Sequence, residues 1–355
     1  MCMIIADWPK IVQKDLTDFY EFPYLFYSPE RMLESIIKSP IAKHIPLKQS
    51  IHLKETFCKA KIRYRKIDEG LWFFAADIDV NKNKNIMTKS FYDKNQSSDY
   101  YVLTFSVFEY TVACKDLQDI TLRSTCSTFS KPMTEVVAYF YKGTTSKFFS
   151  FAINKKWLSK NFSFKKFPQK EVIENFLNGK KGFYTWLEIT SKAHGLMMKI
   201  DETLETEIDL PYNAVVFKKN CLKLIVEFFD NSFRDNCILD NVSLSNLDYY
   251  KIAKAEKMIL CNLHLPFIGI EYIAKELKIS PTKLKSNFKE VFGFSMLQYY
   301  KEKNLLRALQ LVQNSDIHIR NIAKATGYTN ASKFSSNFKK RFGELPYKTR
   351  YFGLS

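Results

Sequence analysis

The sequence lacks the marks of a secreted, membrane-spanning or catalytic chain. Its seven cysteines, at positions 2, 58, 114, 126, 221, 237 and 261, are odd in number and scattered, with no CxxC pair. That pattern excludes a disulfide framework and a thiolate zinc site, and it reads as reduced thiols. The five histidines, at 44, 52, 194, 264 and 318, form no HxH or HxxxH set, so a histidine-based metal centre is not expected. No GxSxG elbow, phosphate-binding P-loop or dinucleotide fingerprint occurs. Charges interrupt every long apolar run, and the opening "MCMIIADWPKIVQKDL" has neither the basic region nor the apolar stretch of a secretory leader. The expectation is a cytoplasmic protein with no membrane partner, no enzymatic activity, no metal and no cofactor.

What is present points elsewhere. With 355 residues, 46% of them hydrophobic, the chain is long enough for two or three separately cored domains. The net charge is +17 and unevenly spread. Residues 250–355 hold 19 Lys/Arg against 7 Asp/Glu, whereas the other 249 residues are nearly balanced, at 35 against 30. A basic C-terminal third on a near-neutral remainder predicts a polyanion-binding module at that end.

Along the chain, residues from about 50 to 160 read as strands. The segments 51–67, 71–80, 99–110, 119–129, 134–143 and 147–154 are short, aromatic and β-branched, separated by polar turn material such as "VNKNKN" and "YKGTTSK". Tyr101, Leu103, Phe105 and Val107 alternate with Val102, Thr104, Ser106 and Phe108. One face is therefore strongly apolar and the other mixed, which suits a small antiparallel barrel or sandwich. After Pro168 the pattern turns helical, through "QKEVIENFLNGKKGFYTWLEITSKAHGLMMKIDETLE" and then "NAVVFKKNCLKLIVEFFDNSFRDN". The division predicted is 1–167 for the β-rich unit, 168–235 for a helical connector and dimerisation region, 236–247 for a linker and 248–355 for the basic unit. The aromatic residues Trp72, Phe74, Tyr139 and Tyr141 are candidates for lining an effector pocket, set against their alternative role as core.

The basic third repeats itself. "SNFKEVFG" begins at Ser286 and "SNFKKRFG" at Ser336. Upstream, Ile273 and Ala274 match Ile322 and Ala323, and Leu284 and Phe288 match Phe334 and Phe338. Each copy reads as a short helix, a tight turn carrying Lys278 or Gly327, and a second helix capped by Ser280 or Asn330, with Pro281 at the first helical position of copy one. The outward positions hold Thr282, Lys283, Lys285, Ser286 and Lys289 in one copy, and Ser332, Lys333, Ser335, Ser336 and Lys339 in the other. Short hydroxyls can approach base edges and lysines can neutralise phosphates, as a DNA-reading helix requires. Between the copies "SMLQYYKEKNLLRALQLVQN" contains no Gly or Pro and reads as one helical spacer. It would set the two reading helices about one DNA turn, ~34 Å, apart.

These residues resemble the DNA-binding domain of the AraC/XylS family of bacterial transcription regulators, over about Asp248 to Arg350. The second half carries the likeness most clearly, through Ile322, Ala323, Gly327, Tyr328, Phe334, Phe338, Lys339, Phe342, Gly343, Pro346 and Arg350. The resemblance implies an all-α domain with two helix-turn-helix units on double-stranded DNA. Base-reading positions then fall on Thr282, Lys285 and Ser286, and on Ala331, Ser332, Ser335 and Ser336, beside Asn330. Asn304 and Met296 stand where the family often has arginine and proline. The N-terminal order is similar to the cupin-like sensor of such regulators, in particular the ferric-siderophore-responsive branch. The implied whole is an α+β multidomain regulator: a cupin-like antiparallel β-barrel, a helical connector and the reading domain. It would act as an activator through RNA polymerase, as a homodimer, under a small-molecule effector. An effector-independent or architectural DNA binder is the alternative. A DNA-repair methyltransferase with such reading heads is disfavoured, because neither Cys58 nor Cys114 lies in a Pro-Cys-His context.

Overall fold

The computed structural model describes residues 19–352, apart from 56–57, 82–84, 93–95, 115–116, 141–142, 165–166, 168–169, 180–181, 188, 207–211, 233–237, 240–245, 264 and 293. In chain order the first elements are β1 (Phe19–Leu25), α1 (Pro29–Ile37), β2 (Ala42–Ile45), β3 (Ser50–Glu55), β4 (Cys58–Asp68), β5 (Leu71–Val80), β6 (Asn85–Phe91), β7 (Tyr100–Cys114), β8 (Leu117–Ser130), β9 (Val137–Phe140) and β10 (Thr144–Asn154). Then follow α2 (Lys155–Asn161), α3 (Lys170–Asn178), β11 (Phe183–Leu187), α4 (Ser191–Glu205), α5 (Asn213–Asn231), β12 (Ile238–Leu239) and α6 (Asn246–Cys261). The C-terminal helices are α7 (Ile270–Glu276), α8 (Pro281–Phe292), α9 (Met296–Asn314), α10 (Ile319–Ala325), α11 (Ala331–Phe342) and α12 (Pro346–Phe352).

Among the described residues nine strands form one sheet in the order β12-β11-β8-β7-β10-β5-β4-β3-β2, and β1-β6-β9 form a smaller one in which β1 and β6 run parallel. The large sheet does not close: among the described residues its ends are β12 and β2, which are not paired with each other. The expected barrel is thus an open antiparallel sheet. The physical reason lies in what covers the apolar face. Leu103, Phe105 and Val107 of β7 share it with Phe73, Phe129, Phe149 and Phe151, and it is sealed by Ile173 and Phe176 of α3, Met197 and Ile200 of α4, and Phe217, Phe228 and Phe229 of α5. Helices bury what a barrel would turn inward. Each fully buried Phe contributes about 1.5–3 kcal/mol relative to exposure.

The second face behaves differently. Near β2 and β5 it packs Phe74 and Ala152 on Leu33 and Ile36 of α1. On β7, β8 and β10 it carries the small side chains Thr104, Ser106, Cys126 and Ser150, with Thr104 and Ser150 hydroxyls 3.0 Å apart. Small residues let a helix approach closely, and α9 packs against β8 there. The sheet therefore lies between the α3–α5 layer and the first half of the C-terminal helices.

Three segments differ from the sequence expectation. "GFYTWL", read as part of a helix, forms β11 on the edge of β8. Gly179 and Gly182 flank two lysines and stop α3, and the aromatic and β-branched residues that follow suit a pleated surface better than a helix. The segment 51–67 is two strands, β3 and β4, with residues 56–57 between them. Part of the expected linker, Ile238–Leu239, pairs with Thr185 and Trp186 of β11.

Candidate nucleic-acid interface

The two copies of the repeat fold as two small cores sharing one helix. Ile273, Ala274, Leu284 and Phe288 pack with Ile252, Ala255 and Ile259 of α6 and with Met296 and Tyr299 of α9. Ile322, Ala323, Phe334 and Phe338 pack with Leu305, Ala308, Leu311 and Val312 of the same α9. The expected spacer is thus a spine whose N-terminal half belongs to one core and whose C-terminal half belongs to the other. Its 19 residues span about 28 Å at 1.5 Å each. Ser295 and Gln298 close a capping box at its start.

The turns are built alike. After α7 the Ile279 N–H donates to Ala274 O (3.1 Å), and after α10 the Tyr328 N–H donates to Ala323 O (2.9 Å). Both are the closure that leaves one residue in the left-handed region. That residue is Lys278 (φ 48°) in copy one and Gly327 (φ 81°) in copy two. The one-residue difference in repeat length falls on Thr329, between the turn and the next cap. A side chain in this region costs about 1–2 kcal/mol, partly offset by the entropy glycine loses on folding. Lys278→Gly is therefore expected to stabilise the protein by about 0.5–1 kcal/mol. Gly327→Ala is expected to cost about 1 kcal/mol, its Cβ meeting Tyr300 Oη at 3.4 Å. Paired urea titrations measure both.

The reading helices start as the sequence predicts. The Lys283 N–H donates to Ser280 Oγ (3.3 Å), and Asn330 Oδ1 accepts from the N–H groups of Ser332 (2.8 Å) and Lys333 (3.2 Å). On α8, Thr282, Lys283, Lys285, Ser286 and Lys289 are all exposed; on α11, Ser332, Lys333, Ser336 and Lys339 are exposed, as is the cap residue Asn330. Three of the expected DNA-facing residues are partly committed elsewhere. Lys283 Nζ lies 2.8 Å from Asp248 Oδ1 of α6. Ala331 packs on the second core, and Ser335 is half-buried.

Sequence reasoning missed the residue that joins the two cores. Arg307 of α9 is 1% exposed, and its Nη1 donates to Leu263 O and Ala325 O, both at 3.0 Å. Leu263 follows α6 in the first unit and Ala325 ends α10 in the second, so one guanidinium satisfies carbonyls of both. Asn304, one turn earlier, is equally buried. The signal was an arginine inside the apolar stripe Leu305, Ala308, Leu311 and Val312. Arg350 has a comparable role, donating from Nε to Val312 O (3.3 Å) and from Nη2 to Ile317 O (2.5 Å). Met296 is core.

Where α6 and α9 meet the sheet, Tyr299 Oη donates to Glu256 Oε1 and Lys257 Nζ lies 3.5 Å from Asn85 Oδ1. Burial pushes the Glu256 carboxyl up, opposed by the Tyr299 bond and by Lys303. A carboxyl raised in the folded state favours folding fully below its ordinary pKa, and that contribution is lost as pH rises through the raised value. Glu256→Gln keeps an acceptor for Tyr299 but cannot ionise. Its expected signature is a flatter stability profile across that window, seen in melts over a pH series.

Of the residues expected to line an effector pocket, Trp72 and Phe74 stack with centroids 6.4 Å apart, on the face packed against α1. Tyr139 lies on β9 opposite Met87, and Tyr141 falls outside the described residues. Burial pushes the Cys58 thiol up to about 11, opposite to what a nucleophile needs. Cys114 lies at the end of β7. The carboxylates of Asp77, Asp201 and Glu205 lie together, but Arg63 Nη2 sits 2.5 Å from Asp77 and 3.0 Å from Asp201, its Nη1 2.5 Å from Glu205, and Lys61 and Lys147 complete the cage. Three bases already neutralise three acids, leaving a divalent cation no charge to compensate.

The sequence of these helices is similar to that of known proteins. The family described as a helix-turn-helix domain matches residues 273–351. The probable transcription factor PqrA of Proteus vulgaris is 33% identical over 83 residues, 23% of this chain and 68% of that protein. The transcriptional regulator ExsA of Pseudomonas aeruginosa is 34% identical over 77 residues, 22% of this chain and 28% of its own length. Among solved structures, an AraC-type regulator from Chromobacterium violaceum has 28% identity over 30% of this chain and 93% of its own, with a TM-score of 0.28. The chain spans from 12% to 59% of the length of the first curated relatives it matches. The chain belongs to the AraC family of helix-turn-helix transcription regulators. No described helix is long and apolar enough to cross a membrane.

Proposed function

We propose that this protein is a sequence-specific DNA-binding transcription regulator, an activator, whose helices α8 and α11 enter successive major-groove segments of one duplex. The observation that carries the reading is the pair of capped helices with exposed hydroxyl and lysine faces, held at opposite ends of one shared helix. Thr282, Lys285 and Ser286 read bases from α8, and Ala331, Ser332, Ser335 and Ser336 from α11. Lys289, Lys333 and Lys339 neutralise phosphates, with a weaker share from Lys283 because Asp248 competes for it. The first helix carries more of the specificity, since the second offers mainly small hydroxyls. RNA polymerase and a small-molecule effector bound by the N-terminal region complete the proposal. A second copy of the chain is supported by three exposed apolar side chains, Tyr212 just before α5 and Val215 and Val226 on it.

The test is recovery of sheared DNA from the source genome by purified full-length protein at near-physiological salt, followed by sequencing. A few enriched promoter fragments are expected; uniform recovery that salt abolishes would instead favour an architectural binder. On an enriched fragment, Lys289→Ala or Lys339→Ala is expected to flatten the slope of log affinity against log salt by about 0.9 for each phosphate no longer neutralised. Binding titrations at several salt concentrations measure it.

A further inference from the structure

Beside α4 runs a groove of about 760 Å³, floored by strands β3, β4, β5, β10, β7 and β8. Volumes of about 300–1,000 Å³ are typical of small-molecule sites. Helix α4 crosses the strands. At its start, His194 lies 3.5 Å from Arg123 of β8, and at its end, Glu205 bonds Lys61 and Arg63 of β4. Met197 and Met198 form its middle wall.

The strand register arranges the floor in transverse rows. Lys43, His52 and Lys61 are successive partners on β2, β3 and β4, and Lys54 faces Lys59 directly in the neighbouring row. Side chains of paired residues share a face, and the Lys61 bond to Glu205 fixes that face as the one under α4. Four lysines and one histidine thus form a block on three adjacent strands. Like charges directly opposite one another destabilise a sheet. The other groove cations are neutralised: Lys61 by Glu205, Lys147 by Asp77 and Asp201, Arg123 by Glu109. Lys54 and Lys59 have no ion pair among the described residues, and both are exposed to the groove.

We propose that this groove binds a small organic phosphate, its phosphoryl group held by Lys54 and Lys59 next to His52, and its organic body lying along Met197 and Met198. Asp79 of β5 lies opposite Lys59 on its other side, so this row has one ammonium charge in excess, and a phosphoryl group has the three acceptor oxygens needed to reach both lysines at once. Methionine packs adaptably against apolar surface of varied shape, while Asp79 and Glu109 on the floor accept from hydroxyl groups. The phosphates of DNA are the other polyanion in reach of the protein, and the placement disfavours them. Cys126 faces Lys303 and Glu256 of the reading unit, whereas Arg123, three residues away on β8, faces α4. The groove therefore opens on the side of the sheet opposite the reading unit. The regulatory meaning of the site rests on the function proposed above; the binding itself does not.

The test uses the full chain in thermal melts with millimolar phosphate monoesters of sugars, nucleosides and glycerol, each beside its dephosphorylated counterpart and inorganic phosphate. The expected result is a rise of about 5 °C with at least one monoester, none with its dephosphorylated form, and loss of the rise in Lys54→Gln/Lys59→Gln. Without ligand that double variant is expected to melt at or slightly above the parent, because it removes two facing like charges, and to hold DNA as the parent does. A flat response to the whole panel, or an equal rise in the double variant, overturns the proposal. A rise with inorganic phosphate as large as with any ester overturns the part assigned to the methionines. Weaker DNA binding by the ligand-free variant would move the lysines to the duplex and overturn the site, leaving the regulator reading intact. Failure of the parent to select any genomic fragment bears on that reading alone.

Discussion

Arg307→Ala is expected to destabilise the C-terminal unit by about 3–5 kcal/mol, because it removes two charge-assisted hydrogen bonds, worth about 1.5–3 kcal/mol each. The guanidinium is 1% exposed, so water does not replace it at Leu263 O and Ala325 O. Both carbonyls lie where a helix has run out of internal partners, and an orphaned carbonyl there keeps its full desolvation cost. Arg307→Lys is expected to recover only part of the loss, since both carbonyls are served by Nη1 at the far end of the guanidinium, and the shorter lysine carries its ammonium short of that place. The distinctive outcome is loss of coupling: the two cores should melt in separate transitions where the parent melts them together. Calorimetry of the full chain reads this directly. A variant that kept one cooperative transition would show that α9 alone couples the units.

The second large effect is at the paired phenylalanines. Phe288 and Phe338 are each 0% exposed, and each rings a small core with few members to spare. Phe288 meets Tyr299 edge-on at 5.4 Å and Phe292 at 4.5 Å. Phe338 meets Phe334 at 5.6 Å and Phe342 at 4.7 Å. Truncation of either to alanine is expected to cost about 3–5 kcal/mol, the sum of forfeited burial and an unfilled cavity. The prediction is specific in its partition. Phe288→Ala should release the packing of α6 to α8 and leave α10 and α11 protected, while Phe338→Ala should do the reverse. Hydrogen exchange resolved by segment measures this, and operator binding should fall because a reading head is without its frame. Retention of both protection and affinity would place these side chains outside the core.

Much of the C-terminal unit was legible because its information is local. Ser280 and Asn330 cap the helices they precede, Pro281 begins α8, and Ile273, Leu284, Phe288 and their counterparts are all buried. Capping, turn closure and four-residue spacing act over one or two turns of chain, so a single sequence displays them. Lys278 was legible only through its twin: a lysine gives no sign of a left-handed backbone, but Gly327 at the equivalent position does. Arg307 was harder, since its partners lie 44 and 18 residues away.

The N-terminal half was legible by element and not by closure. Alternation along β7 correctly separated an apolar face from a mixed one. Nothing in that pattern says whether an apolar face is buried by curling the sheet or by laying helices across it. That choice depends on α4 and α5, more than 80 residues further on. For the same reason Trp72 and Phe74 gave no warning that they pack under α1.

The sequence by itself determined that this chain carries two copies of a capped, basic, hydroxyl-bearing helix joined by a helical spacer, because those properties reside in residues a few positions apart. Only the tertiary structure decided that the spacer is shared by two cores and tied by one buried arginine. It alone decided, too, that the sheet stays open between two helical layers and that His52, Lys54, Lys59 and Lys61 on β3 and β4 line a groove beside α4. Each of these depends on strand register or on packing between distant segments, and the side chains involved carry no local mark of their partners.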